Sequence, residues 1–228
     1  RLPGFTAEEI KRLDKNGTFT IEPVIFLTFD DWGTEQSINE LLYILDKHQV
    51  KATFFIYTGY VDGNPNLLRT IAAHGHQIAS HSDGHLVLAD SRGGDENIND
   101  SLTEEEAEKL RKDLVVSYNK LYRYTGDVVV DGKKALTKMF RPPTLAVSKI
   151  GLSQVFDVGF EYSISGGYAT SDYKIGSYEA MIEDLTKTSI GYQKYETVHN
   201  GTIIVMHMQE NAKYTAPVSY THLTLPTT

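Results

Sequence analysis

Cysteine is missing altogether. Disulfides, thiol nucleophiles and thiolate metal ligands are therefore excluded, although the absence fixes no cellular compartment. Long apolar runs are missing too: no stretch reaches the roughly eighteen residues that a membrane-spanning helix needs. Basic charge is in deficit, with 22 Lys and Arg against 30 Asp and Glu, a formal balance of −8. No basic stripe is available to neutralise phosphates, so nucleic acid is not an expected partner. The chain opens at Arg1 with neither Met nor an apolar leader, and is read as a mature or excised piece, a monomer that can belong to a longer multidomain protein.

What is present reads as one α/β domain. Residues 24–29 form a short, nearly continuous apolar run, the mark of a strand buried on both faces. Residues 51–56 and 77–80 repeat it, and shorter strands are expected at 138–140, 162–165 and 203–206. Between them, Ile38, Leu41, Leu42 and Leu45 keep helical spacing, and residues 67–74 read as a helix stopped by Gly75. Thr103 with Glu106 forms a capping box for a long helix reaching about Tyr124, and another helix is expected over 178–187. Strands alternating with helices predict a parallel sheet or a closed α/β barrel. Residues 90–101 read as an exposed loop. Residues 217–228 show no helical period and are expected to be a non-native tail, which leaves 1–216 as the domain.

Polar residues collect where the strands end. The first strand ends in Asp30-Asp31, the third in His81-Ser82-Asp83-Gly84-His85, the 138–140 strand in Arg141-Pro142-Pro143, and the last in His207. In parallel α/β folds the loops at that edge converge on one mouth, where active sites form. Each piece has a plainer reading. An Asp pair can cap a helix, an Arg before two prolines can be a surface turn, and a His behind an apolar strand can be a satisfied core residue. Two adjacent carboxylates repel unless a positive group sits beside each; a metal on one and an arginine on the other would relieve them. His81 and His85, four apart, would share a face on one helical turn and could grip one cation. Two imidazoles and a carboxylate suit zinc or another first-row divalent ion, and leave positions open for water and substrate.

Taken together, these residues resemble the polysaccharide deacetylase family, also known as the NodB-homology domain or carbohydrate esterase family 4. The matching stretches are Thr28-Phe29-Asp30-Asp31, the full His81-to-His85 motif, Arg141-Pro142-Pro143-Thr144 and Val205-Met206-His207, in the family's order over residues 23–211. Departures are Trp32 in place of a common Gly, Thr144 in place of a frequent Tyr, Val205 in place of Leu, and a fourth motif reduced to Asp172-Tyr173. The family's final helix is expected to be cut short after Asn211.

The resemblance implies a distorted (β/α)7-type barrel. It implies one divalent metal ion, zinc or else cobalt or another first-row ion, on Asp31, His81 and His85. Asp30 becomes the general base, Arg141 its orienting partner, and His207 the general acid, oriented by Asp172. Thr144, Val205, Trp32 and Tyr173 become substrate-binding residues, and Trp32, Tyr57, Tyr60 and Tyr168 are candidate sugar platforms. The implied activity is N-deacetylation of N-acetylglucosamine units in peptidoglycan or a chitin-like glycan, at the bacterial surface or outside the cell. Alternatives are an O-acetyl xylan esterase using the same site, a non-catalytic carbohydrate-binding relative, and, from another class, a non-haem iron oxygenase, against which the α/β pattern and the Asp-first order speak.

Overall fold

A computed structural model describes residues 24–89, 102–166, 168–186, 198 and 200–217. The loop expected at 90–101 and the tail from 218 onward lie outside the described residues.

The elements run in the expected alternation. Strand β1 (Phe26–Asp31) leads to helix α1 (Glu35–Lys47), β2 (Thr53–Ile56), a 3-10 turn (Thr58–Gly63), α2 (Pro65–Ala73) and β3 (Gln77–Ser80). Then come α3 (Glu104–Thr125), a small hairpin of β4 (Val129–Val130) and β5 (Lys133–Lys134), β6 (Leu136–Phe140), α4 (Lys149–Val158), β7 (Tyr162–Ser163), β8 (Tyr168–Ala169), α5 (Tyr178–Thr186) and β9 (Ile203–His207). Helix α1 buries Ile38, Leu41, Leu42 and Leu45, the positions its period selects. Helix α3 starts at the Thr103–Glu106 capping box, in which each residue's side chain meets the other's backbone N–H. Helix α4, the 3-10 turn, the hairpin and β8 were not expected from the sequence.

Seven strands form one sheet in the order β7-β6-β3-β2-β1-β9-β8, every neighbouring pair parallel. Sequence neighbours β7 and β8 occupy opposite edges, joined by residues 164–167. So short a connection spans at most about 18 Å, whereas a flat sheet of seven strands would part its edges by about 29 Å. The sheet must therefore curl, and among the described residues β7 and β8 do not pair to close it. Gly166 sits where the connection crosses: a Cβ there would meet Val205 Cγ2 at 2.1 Å.

Curling gives the strands two kinds of face. Leu27, Phe29, Phe54, Ile56, Ile78, Ile204 and Met206 point outward into the main core under α1 and α2. A second cluster, around Leu110, Leu114, Phe140, Leu152 and Val155, packs α3 and α4 against each other and against β6. Each such side chain contributes roughly 1.5–3 kcal/mol when fully buried. The alternate residues Thr28, Asp30, Phe55 and Val205 are buried outside both clusters. The inside of the curl is thus where polar groups gather.

Candidate active site

Three groups that could hold a metal ion meet at the C-terminal edge of β1 and β3. Asp31 ends β1 with φ 76°, a left-handed conformation that turns its carboxylate toward the β3 loop. His81 Nε2 lies 3.6 Å and His85 Nε2 3.4 Å from Asp31 Oδ1, and one donor atom from each residue fits within a 4.8 Å cluster. The two histidines do not share the helical turn that their spacing predicts. They sit on an irregular loop in which Ser82 (φ 67°) and His85 (φ 53°) are left-handed. Side chains from α3 and the loop itself replace the helix ladder. Asp113 accepts from the backbone N–H of Asp83 (2.8 Å) and of Gly84, and Lys120 pairs with Asp83 at 2.8 Å. Such left-handed residues cluster round the site, with Thr144 and Ser171 beside Asp31, Ser82 and His85.

The donor set fits a divalent cation. His81 Nδ1 donates to the Arg141 carbonyl at 2.8 Å, because a carbonyl can only accept. Burial, the largest influence, holds His81 below the ordinary histidine pKa despite the Asp30 and Asp31 charges, which favours the neutral ring. Its Nε2 is then a lone pair facing a carboxylate lone pair, an arrangement that a cation between them relieves. Asp31 is opposed by burial, which raises its pKa. The hydrogen bond to His85 and the nearby charges of His81, His207 and His85 outweigh that and hold it below the usual range.

Two further pairs flank the triad. Arg141, wholly buried at the end of β6, donates to Asp30 Oδ1 at 2.6 Å and Thr28 Oγ1 at 2.7 Å. It also donates to the carbonyls of Ile164 and Ser165 in the β7–β8 connection and stacks over the Phe55 ring at 4.0 Å. One guanidinium therefore ties β6 to β1 and to the turn between the sheet's edges. On β9, His207 Nδ1 donates to Asp172 Oδ1 at 2.6 Å, and its backbone N–H donates to Asp172 Oδ2 at 2.8 Å. Asp172 is fully buried and also accepts from Thr215 Oγ1. Burial pulls the His207 pKa down. The Asp172 hydrogen bond and charge, with the charges of Asp30 and Asp31, overcome it and set the value above the ordinary one.

A cleft of about 660 Å³ opens over these groups. Thr144, Val205 and Tyr173 line it as expected, and the Tyr173 ring stands edge-on to His207 at 5.0 Å between centroids. Tyr168 also lines it. Trp32 is not in that wall; half-buried, it packs against the main core. Gln209 was missed by sequence reasoning. Two residues beyond His207, it lines the cleft and donates through Nε2 to Asp31 Oδ2. Its one sequence signal is its place just past a strand-end histidine. Leu145 and Ser171, also in the wall, gave no signal.

Residues 18–163 match the family model described as polysaccharide deacetylase. The chain belongs to the polysaccharide deacetylase family. It is 38% identical over 79 residues to a chitooligosaccharide deacetylase of Rhizobium leguminosarum bv. trifolii, covering 34% of this chain and 37% of that protein. It is 25% identical over 195 residues to a peptidoglycan-N-acetylmuramic acid deacetylase of Bacillus subtilis, covering 82% and 61%. The chain spans only 30 to 37% of the chitooligosaccharide deacetylases it matches. A family 4 carbohydrate esterase from Streptomyces lividans, solved with acetate, superposes with a TM-score of 0.65 at 21% identity, covering 89% of this chain and 88% of that one. A pseudoenzyme of the same family from Bacillus anthracis superposes at 0.67 with 20% identity, covering 89% and 61%. At such identities the likeness shows the fold alone, and activity has to be argued from this chain's own residues.

Proposed function

We propose that this chain is a metal-dependent N-deacetylase acting on N-acetylglucosamine units of peptidoglycan or a chitin-like polymer. One observation carries the reading: a triad fit for a cation shares its cleft with two separate proton-handling pairs, Asp30–Arg141 and His207–Asp172. A site that only bound sugar would have no use for a base and an acid. The named activities of the chitooligosaccharide and peptidoglycan relatives support the substrate class.

A divalent cation on Asp31, His81 and His85, zinc before cobalt for this nitrogen and oxygen donor set, supplies Lewis acidity toward the acetyl carbonyl and toward water. The chain's own groups move the protons. Asp30 takes a proton from the attacking water, and Arg141 fixes the carboxylate that does so. The water oxygen bonds to the acetyl carbon, and the backbone N–H of Thr144, a residue of the cleft wall, is the proposed donor to the oxyanion. His207, its Nδ1 committed to Asp172, hands the Nε2 proton to the departing nitrogen as the C–N bond breaks, leaving acetate and an amine. Val205 and Leu145 offer apolar wall for the methyl group. The protein works as a monomer on glycan outside the cell or at its surface.

The test is acetate release from chitooligosaccharide, peptidoglycan and acetylated xylan, with and without zinc. Release from either of the first two, abolished by chelation, is the expected result. Release from xylan alone would move the site to ester cleavage. No release from any glycan by the metal-loaded protein would reject the reading.

A further inference from the structure

Gln209 belongs to neither proton-handling pair, yet it touches the cation triad directly. The alternation of β9 carries on for two residues beyond the strand. Val205, His207 and Gln209 line the cleft, whereas Met206 and Met208 are buried in the main core. Gln209 thus shares a face with the groups that flank the triad. Its Nε2 donates to Asp31 Oδ2. The nitrogen end of the amide must be the one that faces Asp31, because a carboxylate only accepts and an amide oxygen in that place would repel it. A hydrogen bond to an ionised acceptor is of the stronger kind.

The backbone under that side chain is held from three sides. The Met208 N–H donates to the Asp30 carbonyl at 3.2 Å, which prolongs the β1–β9 pairing by one step. Ser37 Oγ on α1 donates to the Met208 carbonyl at 2.8 Å. The Ala212 N–H donates to the Gln209 carbonyl at 3.0 Å and closes a turn. Gly33 lets the segments after β1 and β9 press together: a Cβ there would strike the Met208 carbonyl. Asp31, with its left-handed backbone, is a conformation that persists only where the surroundings hold it. Its two oxygens therefore have separate neighbours. Oδ1 faces Nε2 of His81 at 3.6 Å and of His85 at 3.4 Å, and Oδ2 is taken by Gln209.

We propose that Gln209 is a positioning residue for Asp31, which it restricts to offering one oxygen to the cation. With Oδ2 committed to an amide, Oδ1 alone is presented, on the side where the two histidines converge. A carboxylate with both oxygens free can turn and grip a cation with two. That would take room which a catalytic site keeps open for water and substrate. The amide prevents this without being a ligand itself, as hydrogen bonds to ligating carboxylates do in metal sites. The inference rests on the metal-dependent reading of the cleft and deepens it, by assigning the residue that keeps the cation open for chemistry.

The experiment compares wild type with Gln209→Met, which keeps the length and loses the N–H, and Gln209→Asn, which keeps the amide and loses the reach. Each chelator-stripped protein is titrated with zinc against a chromophoric chelator, then saturated with cobalt for its visible absorption spectrum. Far-ultraviolet circular dichroism reports on folding. Without the amide the ion itself must order Asp31, so both variants should bind zinc about tenfold to a hundredfold more weakly. Both should also weaken the visible cobalt bands, which lose intensity as the number of ligand atoms rises. Wild-type zinc affinity in the variants would overturn the role. So would weaker affinity with an unchanged spectrum of the cobalt-saturated protein, or misfolding of both variants, since either makes Gln209 a residue of the scaffold alone. Should wild type bind neither ion, the metal site fails and this inference with it. Should wild type bind metal but release no acetate, only the deacetylase reading fails, and the two titrations still decide the role of Gln209.

Discussion

Arg141 carries the lasting charge of a guanidinium into a fully buried position. Unpaired, that charge would cost several kcal/mol, so its value lies in its partners: Asp30, Thr28, two carbonyls and the Phe55 ring. Arg141→Met leaves Asp30 buried and alone, and should lower unfolding free energy by about 3–5 kcal/mol in a denaturant titration. His207 poses the opposite problem. As the proposed acid it must hold a proton to give one away, and the Asp172 hydrogen bond and charge, against burial, keep its pKa above the ordinary histidine value. Activity is lost as pH rises through that pKa, so the basic limb of kcat/KM should lie above about 6.5. Asp172→Asn should bring the limb to lower pH, and an unmoved limb would remove His207 from the proton donor's role. Residue chemistry of this kind was largely legible in the sequence, because Asp30, Asp31, Arg141 and His207 each follow a strand and strand ends converge. The pairing of Asp172 with His207 came from the family resemblance and not from local pattern: the motif is reduced, and it is the fold that brings β8's end against β9.

At the scale of the element, the His81–His85 loop shows why spacing misleads. A four-residue interval fits a helix face, yet here the loop is set by groups 30 to 37 residues away on α3, which no local pattern announces. Second-sphere contacts typically tune metal affinity tenfold to a hundredfold. Asp113→Ala should weaken zinc binding by about that factor in a competition titration with a chromophoric chelator, with the far-ultraviolet spectrum unchanged. The long helices were legible because their apolar period and caps are strong. The Asp131–Gly132 hairpin carries a turn signal in two left-handed residues, but its strands are too short to show a period. His76, between α2 and β3, has an elemental role of its own. Fully buried, it accepts from the Ala52 N–H through Nδ1, and burial first, then the Lys51 charge, lowers its pKa to about 4. The unfolded chain binds this proton near pH 6.5 and the folded chain does not. Stability is therefore complete above that pH and falls by about 3 kcal/mol as pH drops to 4. His76→Asn keeps an acceptor for Ala52 and should flatten this part of the pH dependence of the urea midpoint.

For the whole molecule, the order of strands matters more than their number. Placing β7 and β8 at opposite edges while joining them by residues 164–167 forces the curl, and the curl turns Thr28, Asp30 and Phe55 toward one buried arginine. The alternation of strands and helices predicted a parallel sheet, but strand order is long-range information and no local period encodes it. The same fold serves a pseudoenzyme as well as a carbohydrate esterase, so architecture cannot settle activity and the proposed metal triad must. The most direct test is a reconstitution titration: strip the protein with chelator, add zinc in fractions of an equivalent, and follow acetate released from chitooligosaccharide. Activity should start from near zero, rise in proportion to bound metal and saturate at one ion per chain, while His81→Ala/His85→Ala stays inactive throughout. Undiminished acetate release from the stripped protein, or full activity in the double variant, would contradict the assignment of Asp31, His81 and His85 as the centre of this site.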